Sequence, residues 1–246
     1  MSVAVVTGGS RGIGASTCEL LAQAGHDVVV GYERNSARAD DVVRACLMHG
    51  VRAVAAQGDV SSEDGVAALF TAADDLGLLG VLVNNAGIVD VAQRLDEMST
   101  ERIQRMLAVN ALGPFLCARE AARRMARSLG GDGGSIVNVG SVGARVGSPN
   151  QYVDYAASKA AVDTLTLGLA KELAADGVRV NCVRPGITDT EIHASGGLPN
   201  RARDLAGQIP MQRAGEPIEV ARAIAWLCSD EASYVTGAIL DVSGGR

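Results

Sequence analysis

The sequence predicts a doubly wound α/β fold: a parallel sheet of about seven strands with helices on both faces. Three observations carry this. Short Val-rich runs alternate with helix-patterned stretches along the chain. Several of the runs are almost continuously apolar, as in strands covered on both faces. No linker, repeat or low-complexity tract interrupts the alternation, so residues 1–246 are expected to form one domain.

The first strand is expected at 3–7, where Val3, Val5 and Val6 precede Thr7. A Gly-rich turn leads from it into a helix at 13–24. The second strand, 28–32, is valine-rich and is followed by a helix at 37–49. A strand at 52–57 and a helix at 63–76 repeat the unit. The strand at 81–84 ends in Asn84-Asn85-Ala86-Gly87 and leads to one long helix over 100–128. The strand at 135–139 precedes a helix at 152–175, and the strand at 178–183 precedes an irregular stretch. That stretch, 187–212, contains Gly196-Gly197, Pro199 and Pro210; an irregular segment this long inside a compact domain is expected to be a lid. A helix at 217–228 and a strand at 238–242 complete the sheet. Right-handed crossovers then favour a single sheet.

Composition narrows the function. Hydrophobic residues make up 48% of the 246, enough for a substantial core, and the net charge is −6. No block of Lys and Arg marks a nucleic-acid surface, so no nucleic-acid partner is expected. The five cysteines are odd in number, scattered and without metal-ligand spacing, so no metal is expected and the thiols read as reduced and buried. The start shows no signal peptide, and no apolar run is long enough to span a bilayer. A cytoplasmic protein with no membrane partner is the expectation.

Two features carry chemistry. Gly8, Gly12 and Gly14, with Ser10, Arg11 and Ile13 between them, let the backbone come close to a ligand where a helix begins. The N–H groups of that helix start can hold a pyrophosphate. Tyr155 and Lys159 are four residues apart, on one face of a helix. An ammonium beside a phenol is expected to lower its pKa toward the range useful in proton transfer.

The turn's spacing and the Tyr155–Lys159 pair together resemble the short-chain dehydrogenase/reductase family, in its short single-domain branch. Asn84-Asn85-Ala86-Gly87, Asn110, Ser141 and Pro185-Gly186 match further motifs in the family's order, over essentially the whole chain. The resemblance implies a Rossmann-type sheet and an oxidoreductase that interconverts a carbonyl and a secondary alcohol on a small organic substrate. It makes Tyr155 the general acid/base. Lys159 would support the phenol and the nicotinamide ribose, and Ser141 would hydrogen-bond the substrate oxygen. Tyr152 would line the substrate pocket beside Ser141 and Tyr155. The backbone carbonyl of Asn110 would serve a proton relay, kept available because Pro114 has no N–H to offer it. Asp59 and Val60 would meet the adenine. Asn85, Ala86 and Gly87 would line the coenzyme, and Pro185, Gly186 and Thr188 would lie near the nicotinamide.

The end of the second strand bears on the choice of nicotinamide. Tyr32 stands where NAD-preferring members place an aspartate, and Arg11 lies where NADP-preferring members often carry a basic residue. Arg34 could add a phosphate contact, whereas Glu33 opposes one. NADP(H) is the expected coenzyme and NAD(H) the alternative. A non-catalytic NADP(H)-sensing module and a nucleotide-sugar epimerase or dehydratase are competing readings. His193, alone in the lid, is expected to face solvent. The resemblance implies a homotetramer, with the long helices and the last strand at its contacts.

Overall fold

The computed structural model describes residues 2–246. Seven parallel strands form one sheet in the order β3-β2-β1-β4-β5-β6-β7. They are β1 (Val3–Val6), β2 (Asp27–Tyr32), β3 (Ala53–Gln57), β4 (Leu79–Asn84), β5 (Gly134–Val139), β6 (Val178–Pro185) and β7 (Ile239–Val242). The main helices are α1 (Gly12–Gln23), α2 (Ser36–Leu47), α3 (Glu63–Leu76), α4 (Thr100–Leu107) and α5 (Gly113–Met125). After them come the short α6 (Gly143–Val146), α7 (Val153–Leu173), the short α8 (Ile192–Ser195) and α9 (Arg201–Asp204), and α10 (Pro217–Cys228).

The pleat explains why the strands read as unbroken apolar runs. Val3 and Val5 of β1 point to one face and join Phe70, Leu82, Met125 and Leu173. Ala4 and Val6 point to the other and join Leu21, Val28, Val30 and Ile224. Both faces are therefore core. Helix starts follow their caps. Asn35, Ser62 and Ser99 accept from the backbone N–H of Arg38, Gly65 and Arg102, and Glu216 and Glu219 form a capping box on α10.

The strand order reverses direction between β1 and β4, the point where open α/β sheets place ligands. One expectation changes here. The single helix predicted over 100–128 is broken: α4 and α5 are joined by a π turn, Ala108–Leu112, in which Gly113 donates its N–H to Ala108. Pro114 supplies no N–H to the preceding turn, so the α pattern cannot run through it. A further helix, α6, was not foreseen. The stretch 187–212 is not structureless either, since it holds α8, α9 and a 3-10 turn, Ala206–Gln208.

Candidate active site

A cleft of about 860 Å³ opens at the carboxyl ends of β1 and β4. The Gly-rich turn forms its floor. Gly8 and Gly12 have φ of 62° and 54°, backbone that favours glycine. Gly14 is buried beneath the turn, where a Cβ would collide with the Gly8 carbonyl oxygen. The N-cap of α1 is Arg11, whose side chain makes no capping bond, and the first turn of the helix has no acidic residue. Its N–H groups are left for an anion. Thr7 and Asn85 tie the turn to β4. The Thr7 hydroxyl accepts from the N–H of Asn85 and of Ala86, both at 3.0 Å, and the Asn85 amide donates to Thr7 and Gly8 carbonyls. Thr7 has no glycine-like signature, and sequence reasoning left it out.

Ser10, Arg11, Gly12 and Ile13 line the cleft, as do Tyr32, Glu33, Arg34, Asp59 and Val60 on the β2–β3 side. Val60 also packs against Gly113, where a Cβ would sit 2.9 Å from it. Asn85, Ala86 and Gly87 follow β4 and line the cleft, as do Pro185 at the end of β6 and Gly186 and Thr188 just after it. Arg34 is turned to Glu33 at 2.9 Å. Arg11 instead reaches Glu191, at 3.5 Å, and Arg38 of α2 meets the same carboxylate. Neither Arg38 nor Glu191 stood out in the sequence, because the pairing joins residues 153 positions apart.

Ser141, Tyr152, Tyr155 and Lys159 line the opposite part of the cleft. The Ser141 hydroxyl accepts from the Gly143 N–H at 3.0 Å. A Cβ on Gly143 would lie 3.0 Å from Ser141 Oγ, 3.3 Å from Ser148 Oγ and 3.6 Å from Tyr155. Glycine thus keeps open the space on which these groups converge. Ser148, with φ of 44°, is a further cleft residue that sequence pattern could not find.

The pair itself differs from expectation. Lys159 is buried and donates to the Val139 carbonyl at 2.8 Å, and its Nζ lies 5.9 Å from the Tyr155 ring centroid. The ammonium is not on the phenol. Burial pushes the Tyr155 pKa up, and the Ser141 hydrogen bond offsets only part of that. Burial pulls Lys159 down to about 8. The direction for the phenol is therefore opposite to the expected lowering, because desolvation by burial dominates.

Asn110 sits in the π turn, fully buried, one layer behind the cleft wall. Its amide pairs with both the N–H and the carbonyl of Ile88, at 2.8 and 2.9 Å. Gly87 lies between it and Lys159: Asn110 Oδ1 and Lys159 Nζ are each 3.4 Å from where a Cβ would be. His193 does not face solvent. It is half-buried, lines the cleft and bonds the Thr188 carbonyl at 2.9 Å, and burial lowers its pKa.

A family model described as Enoyl-(Acyl carrier protein) reductase matches residues 8–246. The chain belongs to the short-chain dehydrogenase/reductase family. It is 54% identical to the uncharacterized oxidoreductase YgfF of Escherichia coli (strain K12), over 100% of both chains. It is 45% identical to cis-4-hydroxycyclohexanecarboxylate dehydrogenase of Sinomonas cyclohexanicum, covering 99% of this chain and 95% of the relative. Among solved structures it resembles acetoin dehydrogenase YohF from Salmonella typhimurium, with a TM-score of 0.89 and 35% identity. That match covers 100% of this chain and 96% of the other. As a family member the chain is an NAD(P)-dependent oxidoreductase acting on carbonyl and alcohol groups of small molecules. Among the described residues, no helix is long and apolar enough to cross a membrane.

Proposed function

We propose that the chain is an NADP(H)-dependent oxidoreductase in which Tyr155 exchanges a proton with the oxygen of a ketone or secondary alcohol. The observation that carries this is the convergence of Ser141 and Tyr155 on the open space at Gly143, with Lys159 buried behind them. The nicotinamide, when bound, supplies or accepts the hydride. Everything else falls to the chain. Because Ser141 Oγ already accepts from Gly143, its own proton is available to a substrate oxygen. Tyr155, with its pKa raised, is a neutral phenol near pH 7 and suited to donate when a carbonyl is reduced. Lys159 positions the Val139 end of β5 and provides the nearby positive charge that a transient phenolate requires. The Asn110 side chain is taken up by Ile88, which leaves its backbone carbonyl, without an N–H from Pro114, as the group that can face a proton path.

NADP(H) is favoured by charge. Tyr32 ends β2 without a carboxylate, and Arg11 and Arg38 present two guanidiniums to the cleft wall. Glu33 is engaged by Arg34. A homotetramer is part of the proposal. Leu107, Leu112, Phe115 and Leu167 leave an exposed apolar face on the α4–α5 and α7 side, and Trp226, Tyr234 and Leu240 leave another by β7. A cytoplasmic setting fits five free, buried thiols.

The test is a Tyr155→Phe variant assayed against a panel of ketones and secondary alcohols by nicotinamide absorbance. Turnover is expected to fall by about 10²–10⁴-fold while coenzyme affinity is retained. Titration with both coenzymes tests the preference; tighter NAD+ binding would reverse it.

A further inference from the structure

The guanidiniums lining the cleft are not alike. Arg11 and Arg38 are paired with Glu191, Arg34 with Glu33, and Arg105 with Asp90. Arg201, carried by α9, also lines the cleft, and like Arg246 it forms no salt bridge among the described residues; unlike Arg246 it is held over an aromatic ring. Its one side-chain hydrogen bond goes to the neutral amide oxygen of Gln151, at 2.9 Å. Its guanidinium carbon lies 5.1 Å from the ring centroid of Tyr152. An arginine held over an aromatic ring is restrained in place, and most of its five N–H donors remain free.

The surroundings leave that charge unanswered. Asp90, on the same side of the cleft, is already matched by Arg105. His193 is nearby, engaged with the Thr188 carbonyl, and carries no negative charge to offer. The cleft lining also includes the apolar Ile88, Val142, Val146 and Ile192, with the uncharged Ser148 and Ser195 among them. A fixed cation beside apolar and uncharged walls suits a ligand with a largely hydrocarbon body and one anionic group. The planar fork of arginine matches a carboxylate with two parallel hydrogen bonds.

We propose that the substrate is an oxo acid or hydroxy acid, with its carboxylate remote from the reacting carbon and held by Arg201. This rests on the oxidoreductase reading above and adds the substrate class. The carboxylate takes no part in the redox step. Hydride and proton add across the carbonyl in reduction and leave in oxidation, while the anion fixes which end of the molecule faces Tyr155.

Matched ketones test it: 4-oxopentanoate, 6-oxoheptanoate and 8-oxononanoate, each beside its methyl ester, reduced with NADPH. At least one acid is expected to exceed its ester about ten-fold in kcat/KM. Arg201→Gln is expected to erase that preference through the KM of the acid, with kcat and the ester unchanged. Arg201→Lys, which keeps the charge and loses the fork, should fall between. The proposal is overturned if no acid outperforms its ester, or if Arg201→Gln weakens acid and ester alike. Calorimetric titration with heptanoate and heptanamide, with and without NADP+, reads the same site without turnover. Binding of heptanoate over heptanamide that is lost in Arg201→Gln supports the carboxylate site even if every ketone is inert, in which case the oxidoreductase reading fails alone. Ketone turnover with no acid preference, and no selective heptanoate binding, removes the carboxylate site and leaves the oxidoreductase standing.

Discussion

The two sides of the cleft are built from different materials. The side proposed for the coenzyme is made of backbone: the turn from Gly8 to Gly14, the uncapped start of α1, and strand ends knitted by Thr7 and Asn85. The side proposed for the substrate is made of side chains on short pieces: Ser148 in a strained loop, and His193 and Arg201 on four-residue helices. A backbone site tolerates few changes in the residues that shape it. A side-chain site can change its specificity one residue at a time while the frame stays put.

Four substitutions test this contrast, beginning with the largest effect. Behind the proposed substrate side lies the buried pair of Arg102 and Asp154 at 2.9 Å. Arg102 also donates to the Val91 carbonyl and to Gln93, and Asp154 accepts from the Tyr155 N–H. Asp154→Ala would leave a buried guanidinium unpaired, and a loss of about 3–5 kcal/mol is expected in urea unfolding. A loss under about 1 kcal/mol would show that the pair does not anchor this side. On the coenzyme side, Gly14→Ala forces a methyl into the Gly8 carbonyl. Overpacking of this kind costs about 1–3 kcal/mol, and coenzyme affinity should fall with it. A variant that binds coenzyme normally would show the turn to be more pliant than its packing implies.

Lys159 belongs to both sides. Its folded pKa of about 8 lies below the ordinary value of 10.5, so between these the unfolded chain binds the extra proton. The contribution of Lys159 to stability should therefore rise with pH from about 8 to 10.5. Thermal unfolding of Lys159→Met across that window should lose this rise; an unchanged slope would place the lysine in a more hydrated site. The smallest effect is expected at Glu191, which joins the two sides through Arg11 and Arg38. Glu191→Gln should change stability by less than about 1 kcal/mol, since the pairs are half-exposed. It should also tighten NADP+ relative to NAD+, because a carboxylate no longer competes for the two guanidiniums.

The contrast also explains what could be read in advance. The glycines of the turn, Asn85 at a strand end and the Tyr155–Lys159 spacing are local patterns, so the sequence displayed them. Pro114 announced a disturbance near Asn110, and the π turn is its outcome. The lysine–phenol interaction was misjudged because spacing gives the shared helix face and not the direction of a flexible side chain. Only the placement of β5 decides that Lys159 finds the Val139 carbonyl. Glu191, Ser148 and Arg201 were invisible because irregular segments have no periodicity to betray which side chain turns inward.

By itself, the sequence determined the alternation of strand and helix, the anion-ready turn and the helical spacing of Tyr155 and Lys159, the pair proposed for acid/base work, since each follows from backbone freedom or from repeat spacing along the chain. The tertiary structure alone decided the burial of that pair, which shifts both pKa values, and the long-range charge pairing of Glu191 in the 187–212 segment. Desolvation and pairing depend on neighbours distant in the chain, which no local pattern records.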